Sequence, residues 1–251
     1  MQPDTIIPSP SNPQSWNRFS NVQNNPVRYN DPSGHICVDK GTTDGDCTRE
    51  NFSDYKKNFI LANSISRKYK NITIQNPGLW EYGDLQEIDA GLNAINGKNG
   101  FNGDMVAFVT AFGEVTFVPA ANGSLGYQTD SNGNKVYNVA TTANGIVNVT
   151  PDADMWNIVH EMGHVFSANP LITGRTSHTF AQMYSNVFNH TQPGTTLYGT
   201  TNTGEDFADS FYAVIRYGPN NMPRDTINSD RIHVITALIQ SYIDLNQTTG
   251  R

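Results

Sequence analysis

Cysteine is almost missing from this chain: its 251 residues hold two, Cys37 and Cys47. So few exclude a disulfide-dense scaffold, and their spacing lacks the doubled pairs of a zinc knuckle. They bracket a Gly- and Asp-rich loop, and three readings stay open: a small disulfide in an exported protein, two thiols in a cytosolic one, or a metal site completed by His35. Long apolar runs are also missing. Nothing approaches the roughly eighteen consecutive apolar residues of a membrane helix, so no membrane span is expected. Basic charge is short, with Lys and Arg totalling 16 against 23 for Asp and Glu. The net charge of -7 and a pI near 5.2 argue against nucleic acid as the main partner, because phosphate binding needs a basic surface. The opening residues lack the charged-then-apolar order of a signal peptide, so no general secretion signal is expected in them.

What is present divides into two kinds of sequence. Residues 1–48 carry six prolines among the first 32 positions, with scattered Asn and Ser, which rules out a continuous helix and favours an extended, turn-punctuated chain. From residue 49 to residue 251 the apolar residues fall into helical and strand-like patterns, so this stretch is read as the folded domain.

The most informative stretch is Met155-Trp156-Asn157-Ile158-Val159-His160-Glu161-Met162-Gly163-His164-Val165-Phe166. Residues four apart stack on one face of a helix, so His160 and His164 can point at a single metal ion. Glu161 then stands about a quarter turn from His160, within reach of a water at the metal without being a ligand. This is the HExxH arrangement of zinc hydrolases, in which two neutral imidazoles hold Zn²⁺ and the glutamate takes a proton from water. Ile158, Val159, Met162, Val165 and Phe166 make the helix largely apolar, which suits burial in the middle of a domain, and Met162 and Trp156 are assigned to the core. Buried histidines and a buried glutamate need partners, and a metal would supply one.

Elsewhere in the domain, Glu50 to about Tyr69 has helical spacing and Ile72–Gln75 alternates like a short strand before Asn76-Pro77-Gly78. Asp84 opens a helix running to Ile95, with Asp84 as its N-cap. Met105–Thr110 and Glu114–Pro119 read as a hairpin around Ala111-Phe112-Gly113. Residues 121–135 read as a loop or ragged hairpin, and Gly145–Thr150 as a strand that delivers the chain into the His160 helix. Tyr137–Thr142 and Gly145–Val149 are the candidates for an edge strand, whose N–H and C=O groups could hold an extended peptide. Ser229–Leu245 closes the chain with a helix.

A catalytic zinc site takes three protein ligands and leaves one position open. Gly204–Ile215 is a second amphipathic helix, on which Glu205 and Asp209 lie four apart and face one way. Glu205 is the candidate third ligand, and Asp209 the acceptor for the remaining ring N–H of a liganding histidine, His160. His178, His190 and His233 are assigned no role, since a lone histidine on a helix is more often structural.

Two resemblances extend this reading. Asn17-Arg18-Phe19-Ser20-Asn21-Val22-Gln23-Asn24-Asn25-Pro26-Val27-Arg28-Tyr29-Asn30-Asp31-Pro32-Ser33-Gly34 resembles the end of the RHS-repeat core of bacterial polymorphic toxins, with Phe19 and Asn21 where that signature has tyrosines. The resemblance implies that residues 1–48 are the end of an RHS core and its junction, with Asp31, Pro32, Gly34 and His35 at the region where such cores cut themselves. Residues 49–251 would then be the toxin payload, secreted or delivered into a target cell as part of a larger protein. The RHS cage of the precursor and a cognate immunity protein are the partners it implies. Leu197-Tyr198-Gly199-Thr200-Thr201-Asn202-Thr203-Gly204-Glu205-Asp206-Phe207-Ala208-Asp209-Ser210-Phe211, together with the HExxH run, resembles the anthrax lethal factor-like branch of the gluzincins. Asp209 stands where that branch tends to have Glu. The resemblance implies an α+β, zincin-like fold: a twisted mixed sheet with a backing helix and the HExxH helix, followed by a mainly helical C-terminal lobe. It carries Glu205 over as zinc ligand and Tyr198 as the phenol that steadies the oxyanion or protonates the leaving amine.

The expectation is therefore a zinc-dependent endopeptidase acting on a protein or peptide substrate, with one Zn²⁺ held by His160, His164 and Glu205, and with Glu161 and Tyr198 catalytic. The competing expectation is a binding module that keeps zinc for stability and grips its target without cutting it.

Overall fold

The computed structural model describes residues 49–129, 133–168, 202–221 and 229–249. Cys37, Cys47 and the junction residues Asp31, Pro32, Gly34 and His35 lie outside the described residues. The described chain is α+β. Its helices are α1 (Arg49–Lys68), α2 (Tyr82–Ile95), α3 (Met105–Phe112), α4 (Met155–Ala168), α5 (Thr203–Tyr217) and α6 (Ser229–Thr249). Its strands are β1 (Ile72–Ile74), β2 (Val115–Pro119), β3 (Tyr127–Thr129), β4 (Lys135–Tyr137), β5 (Ala140–Ala143) and β6 (Ile146–Val149).

Four strands form one mixed sheet in the order β1-β2-β6-β5, and β3 and β4 form a separate antiparallel ribbon. The first three strands of the sheet run parallel, while β5 runs antiparallel to β6 with Ala140 opposite Val149 and Ala143 opposite Ile146. The β5–β6 connection is the two-residue turn Asn144-Gly145, and both residues have positive φ, 51° and 75°. Those values match the twist of the flanking strands, which is why Asn-Gly is a favoured hairpin turn. Among the described residues the sheet has two edges, β1 and β5, and β5, the one beside the HExxH helix, overlaps the first of the two expected spans at Ala140–Thr142. Hydrogen bonding alternates along an antiparallel strand, and Thr150 N–H donates to the Val139 carbonyl at 2.9 Å. Val139, Thr141 and Ala143 therefore face β6 with their backbone groups, and Ala140 and Thr142 turn theirs to the open side.

Two expectations are corrected. Met105–Phe112 is helical and does not form a hairpin with β2, which instead pairs with β1 and β6. Asp104 decides the matter locally, since its Oδ1 accepts from Val106 N–H at 3.1 Å and Ala107 N–H at 3.0 Å, and Gly113 ends the helix at φ 61°. A short run of apolar residues carries no period that separates strand from helix, whereas burial of Ala107, Phe108, Ala111 and Phe112 traces a helical stripe. The second correction is the start of α2. Glu81, not Asp84, is the N-cap, and Asp84 is the third helical residue of a reciprocal capping box with it.

The core joins the HExxH helix to everything around it. Phe166, two residues past His164, packs on Phe101, Phe112 and Phe211 at ring-centre distances of 6.0, 5.6 and 5.4 Å. It also meets Phe207 at 6.1 Å and Tyr242 of α6 at 5.8 Å. All of these rings are buried, so the helix is fixed on its apolar side by α3, α5 and α6 together. Beyond α4 the described elements are both helices. The buried ion pair between Arg231 of α6 and Asp206 of α5, at 2.7 Å, ties them to each other next to Glu205.

Replacing Asp104 by Ala removes a cap that satisfies two backbone N–H groups and should cost about 1 kcal/mol in a urea unfolding curve. An unchanged midpoint would mean that Met105–Phe112 is not held as a helix by this residue.

Candidate metal centre

The N-terminus of α4 is set by carboxylates. Asp154 Oδ1 accepts from the N–H groups of Trp156 and Asn157 at 2.9 and 3.0 Å, and Glu87 of α2 accepts from Met155 N–H at 2.8 Å. Negative charge there complements the helix dipole as well as the free N–H groups. On α5, Asn202 caps Gly204 and Glu205 N–H at 2.9 and 3.0 Å, so Glu205 sits in the first turn with its backbone fixed. One face of α5 buries Phe207 and Phe211, and Glu205 and Asp209 face α4.

The two helices cross closely because Gly163 stands at their contact. A Cβ at that position would meet Ala208 Cα at 2.9 Å and Phe211 Cβ at 3.3 Å. This approach brings the carboxylate of Glu205 between the histidines. Its Oε2 lies 3.2 Å from His160 Nε2 and 3.2 Å from His164 Nε2. The imidazole rings stand nearly at right angles, 82°, with centres 4.9 Å apart. One ligand atom from each of the three residues lies within 4.8 Å of the others. The side chains are mostly buried, at 16 % exposure for His160, 23 % for His164 and 19 % for Glu205.

These residues fit a zinc ion on two counts. With bonds of about 2.0–2.1 Å, two ligand atoms on one tetrahedral ion stand roughly 3.3 Å apart, close to the separations from Glu205 to each histidine. The other ring nitrogen of His160, Nδ1, is 2.9 Å from Asp209 Oδ1. A carboxylate there takes the Nδ1–H and so leaves the lone pair on Nε2, the nitrogen that faces Glu205.

Glu161 is buried, and its carboxylate is held by a residue that sequence reasoning missed. Thr142 of β5 donates from Oγ1 to Glu161 Oε2 at 2.6 Å. Thr142 lay in the expected strand Tyr137–Thr142, but nothing in its local sequence says that this strand passes Glu161. Trp156, assigned to the core from sequence, is half-buried at its margin: it packs against the core and stands edge-on to Tyr212 at 5.5 Å. His233 is exposed on α6, whereas Tyr198, His178 and His190 lie outside the described residues. A hollow opens on each side of the site. The one beside His164 runs along Thr142 and Ala143, and the one beside His160 reaches Trp156, Tyr212 and Arg216. Asn138, Ala140 and Glu161 line both, so the two hollows adjoin beside β5.

The electrostatics follow from the geometry. Burial disfavours a charged His160, but the hydrogen bonds and charges of Asp209, Glu205 and Glu161 outweigh it and bring its pKa up to about 9 from 6.5. Burial likewise disfavours a charged Glu205, yet hydrogen bonds from His160 and His164 bring it down to about 2 from 4.5. After treatment with a chelator, the His160 contribution to stability is complete below pH 6.5 and is lost as pH rises through about 9. The Glu205 contribution is complete above pH 4.5 and is lost as pH falls through about 2. Thermal melts of the chelated protein should therefore show the largest share from this cluster between pH 4.5 and 6.5, falling on both sides.

A Gly163→Ala substitution should push α5 away from α4 and draw Glu205 back from the histidines. Overpacking of this kind costs about 1–3 kcal/mol. The expected result is at least tenfold weaker zinc binding in a competition titration, with helix content by circular dichroism retained.

No family model matches the chain, and neither a curated protein nor a solved structure does.

Proposed function

We propose that residues 49–251 are a zinc-dependent endopeptidase, and that the HExxH helix and the Glu205 helix are the two halves of its centre. The observation that carries the proposal is the meeting of His160 Nε2, His164 Nε2 and Glu205 Oε2, drawn from two helices 45 residues apart, beside a buried Glu161. The mixed sheet with an antiparallel edge strand next to the HExxH helix supports a zincin-like architecture. With the RHS-like residues 1–48 before it, the domain is proposed to be the payload of a larger RHS protein that is delivered into a target cell.

His160, His164 and Glu205 would hold the ion. A zinc ion in that position supplies Lewis acidity toward water and toward a peptide carbonyl. Asp209 keeps the proton of His160 on Nδ1 and fixes the ring. Thr142 holds one oxygen of Glu161, which lines the hollows on both sides of the site. Glu161 takes a proton from the attacking water and gives it to the departing amine nitrogen as the C–N bond breaks, which returns the carboxylate to its starting state. Tyr198 is proposed as the hydrogen-bond donor to the developing oxyanion. The open side of β5 offers backbone groups of Ala140 and Thr142 to an extended substrate, which would bind as an added strand.

A Glu161→Gln protein should keep a stoichiometric zinc by metal analysis and generate no new peptide N-termini in a lysate that the wild type cleaves. His160→Ala and His164→Ala should lose both metal and cleavage. Undiminished cleavage by Glu161→Gln would remove the peptidase assignment, and equal toxicity of the two proteins in producing cells would favour a zinc-stabilised binding module.

A further inference from the structure

The hollow beside His160 has a composition that the zinc chemistry does not require. Arg216, near the end of α5, is exposed and lies over three rings: Trp156 at 4.9 Å, Tyr217 at 5.2 Å and Tyr212 at 5.5 Å. One of its terminal N–H groups donates to the Tyr212 hydroxyl. A guanidinium stacked on aromatic faces loses little conformational freedom on binding and keeps its planar fork of donors in place. Three carboxylates share the hollow, each accepting hydrogen bonds from groups other than Arg216, although the charge of Asp154 also acts on the guanidinium. Asp154 accepts the first N–H groups of α4, Asp209 holds His160, and Glu161 is held by Thr142. Among the described residues no carboxylate lies within ion-pair distance of Arg216. The hollow is thus walled by rings, opens next to a metal ligand and presents the guanidinium of Arg216 with donors to spare, alongside the carboxylates of Asp154, Asp209 and Glu161.

The direction of β5 says which part of a chain added to it reaches this hollow. An extended chain added to β5 pairs best antiparallel, the more stable arrangement per residue. Since β5 runs from Ala140, near the His160 hollow, to Ala143, near the His164 hollow, such a chain passes the histidines in the opposite sense. Its N-terminal part lies along Thr142 and Ala143, and the part beyond the scissile bond enters the pocket of Trp156, Tyr212 and Arg216.

We infer that Arg216 is a specificity residue, which selects substrates presenting a carboxylate just C-terminal to the cleaved bond. This rests on the peptidase reading above and deepens it to a substrate class. Two sources supply that chemistry, an Asp or Glu side chain within a longer chain and a free C-terminal carboxylate, and the bidentate fork of Arg216 suits either.

The test is a cleavage profile of the zinc-loaded protein on a proteome-derived peptide library, read by sequencing both new ends. Expected for the wild type is enrichment of Asp and Glu, or of a chain terminus, at the first or second position after the cut. Internal acidic peptides and C-terminally amidated ones distinguish the two sources. Arg216→Gln should lose the preference, with kcat/KM on a preferred peptide falling roughly ten- to hundredfold and little change on its Gln counterpart. Arg216→Glu should shift the preference toward Lys and Arg, a gain that misfolding cannot produce. Binding supplies a second readout: the Glu161→Gln protein should hold a fluorescein-labelled Glu-containing peptide about tenfold or more tightly than its Gln counterpart, and Arg216→Gln in that background should erase the difference. Cleavage by the wild type without any acidic preference on that side, or a preference unchanged in Arg216→Gln, overturns this inference and leaves the peptidase reading standing. No cleavage of any peptide by the wild type overturns both.

Discussion

Everything near the site depends on how closely α4 and α5 approach. A glycine within the HExxH run lets the backbone of Ala208 come against α4, and only at that separation can a carboxylate from the first turn of α5 reach both imidazoles. The approach has to be held, because it brings two histidines and two carboxylates into a space that is largely shielded from water. Phe166, Phe207 and Phe211 hold it on the apolar side, and the Arg231–Asp206 pair holds it from α6. The chemistry of the polar face is thus set by packing on the opposite face of the same helices.

The same logic explains the small sheet. Its four strands are three to five residues long, too short to be a scaffold on their own, and β5 is placed so that Thr142 reaches Glu161. The strand holds Glu161 through its side chain and, under the proposed function, would offer its backbone edge to a substrate. Such economy requires a fixed register, and the Asn144-Gly145 turn fixes it: a slip of one residue would send Thr142 to the other face of the sheet.

Much of this was legible in the sequence, and the parts that were not have identifiable causes. The His160–His164 pair is local, so helical spacing alone puts the two rings on one face. Glu205 and Asp209 were legible as a pair for the same reason, although nothing in spacing says that α5 crosses α4. The helix Met105–Phe112 was misread because a short, uniformly apolar run has no period to reveal, and its signal lay outside the run, in Asp104. Thr142 and Arg216 were invisible for a different reason. A threonine in a strand and an arginine late in a helix are ordinary there, and their significance comes from neighbours brought in by the tertiary fold. Trp156 was placed in the core because large aromatics near a buried helix usually belong there, while the structure uses it as a wall.

The separation of 45 positions between His160 and Glu205 has a thermodynamic meaning apart from catalysis. An ion gripping both would stabilise the folded chain by binding it and not the unfolded one, joining two helices distant in sequence without a covalent bond. A chain nearly devoid of cysteine would thus acquire a reversible clasp, whose tightness is set by the metal activity of its surroundings and not by their redox poise.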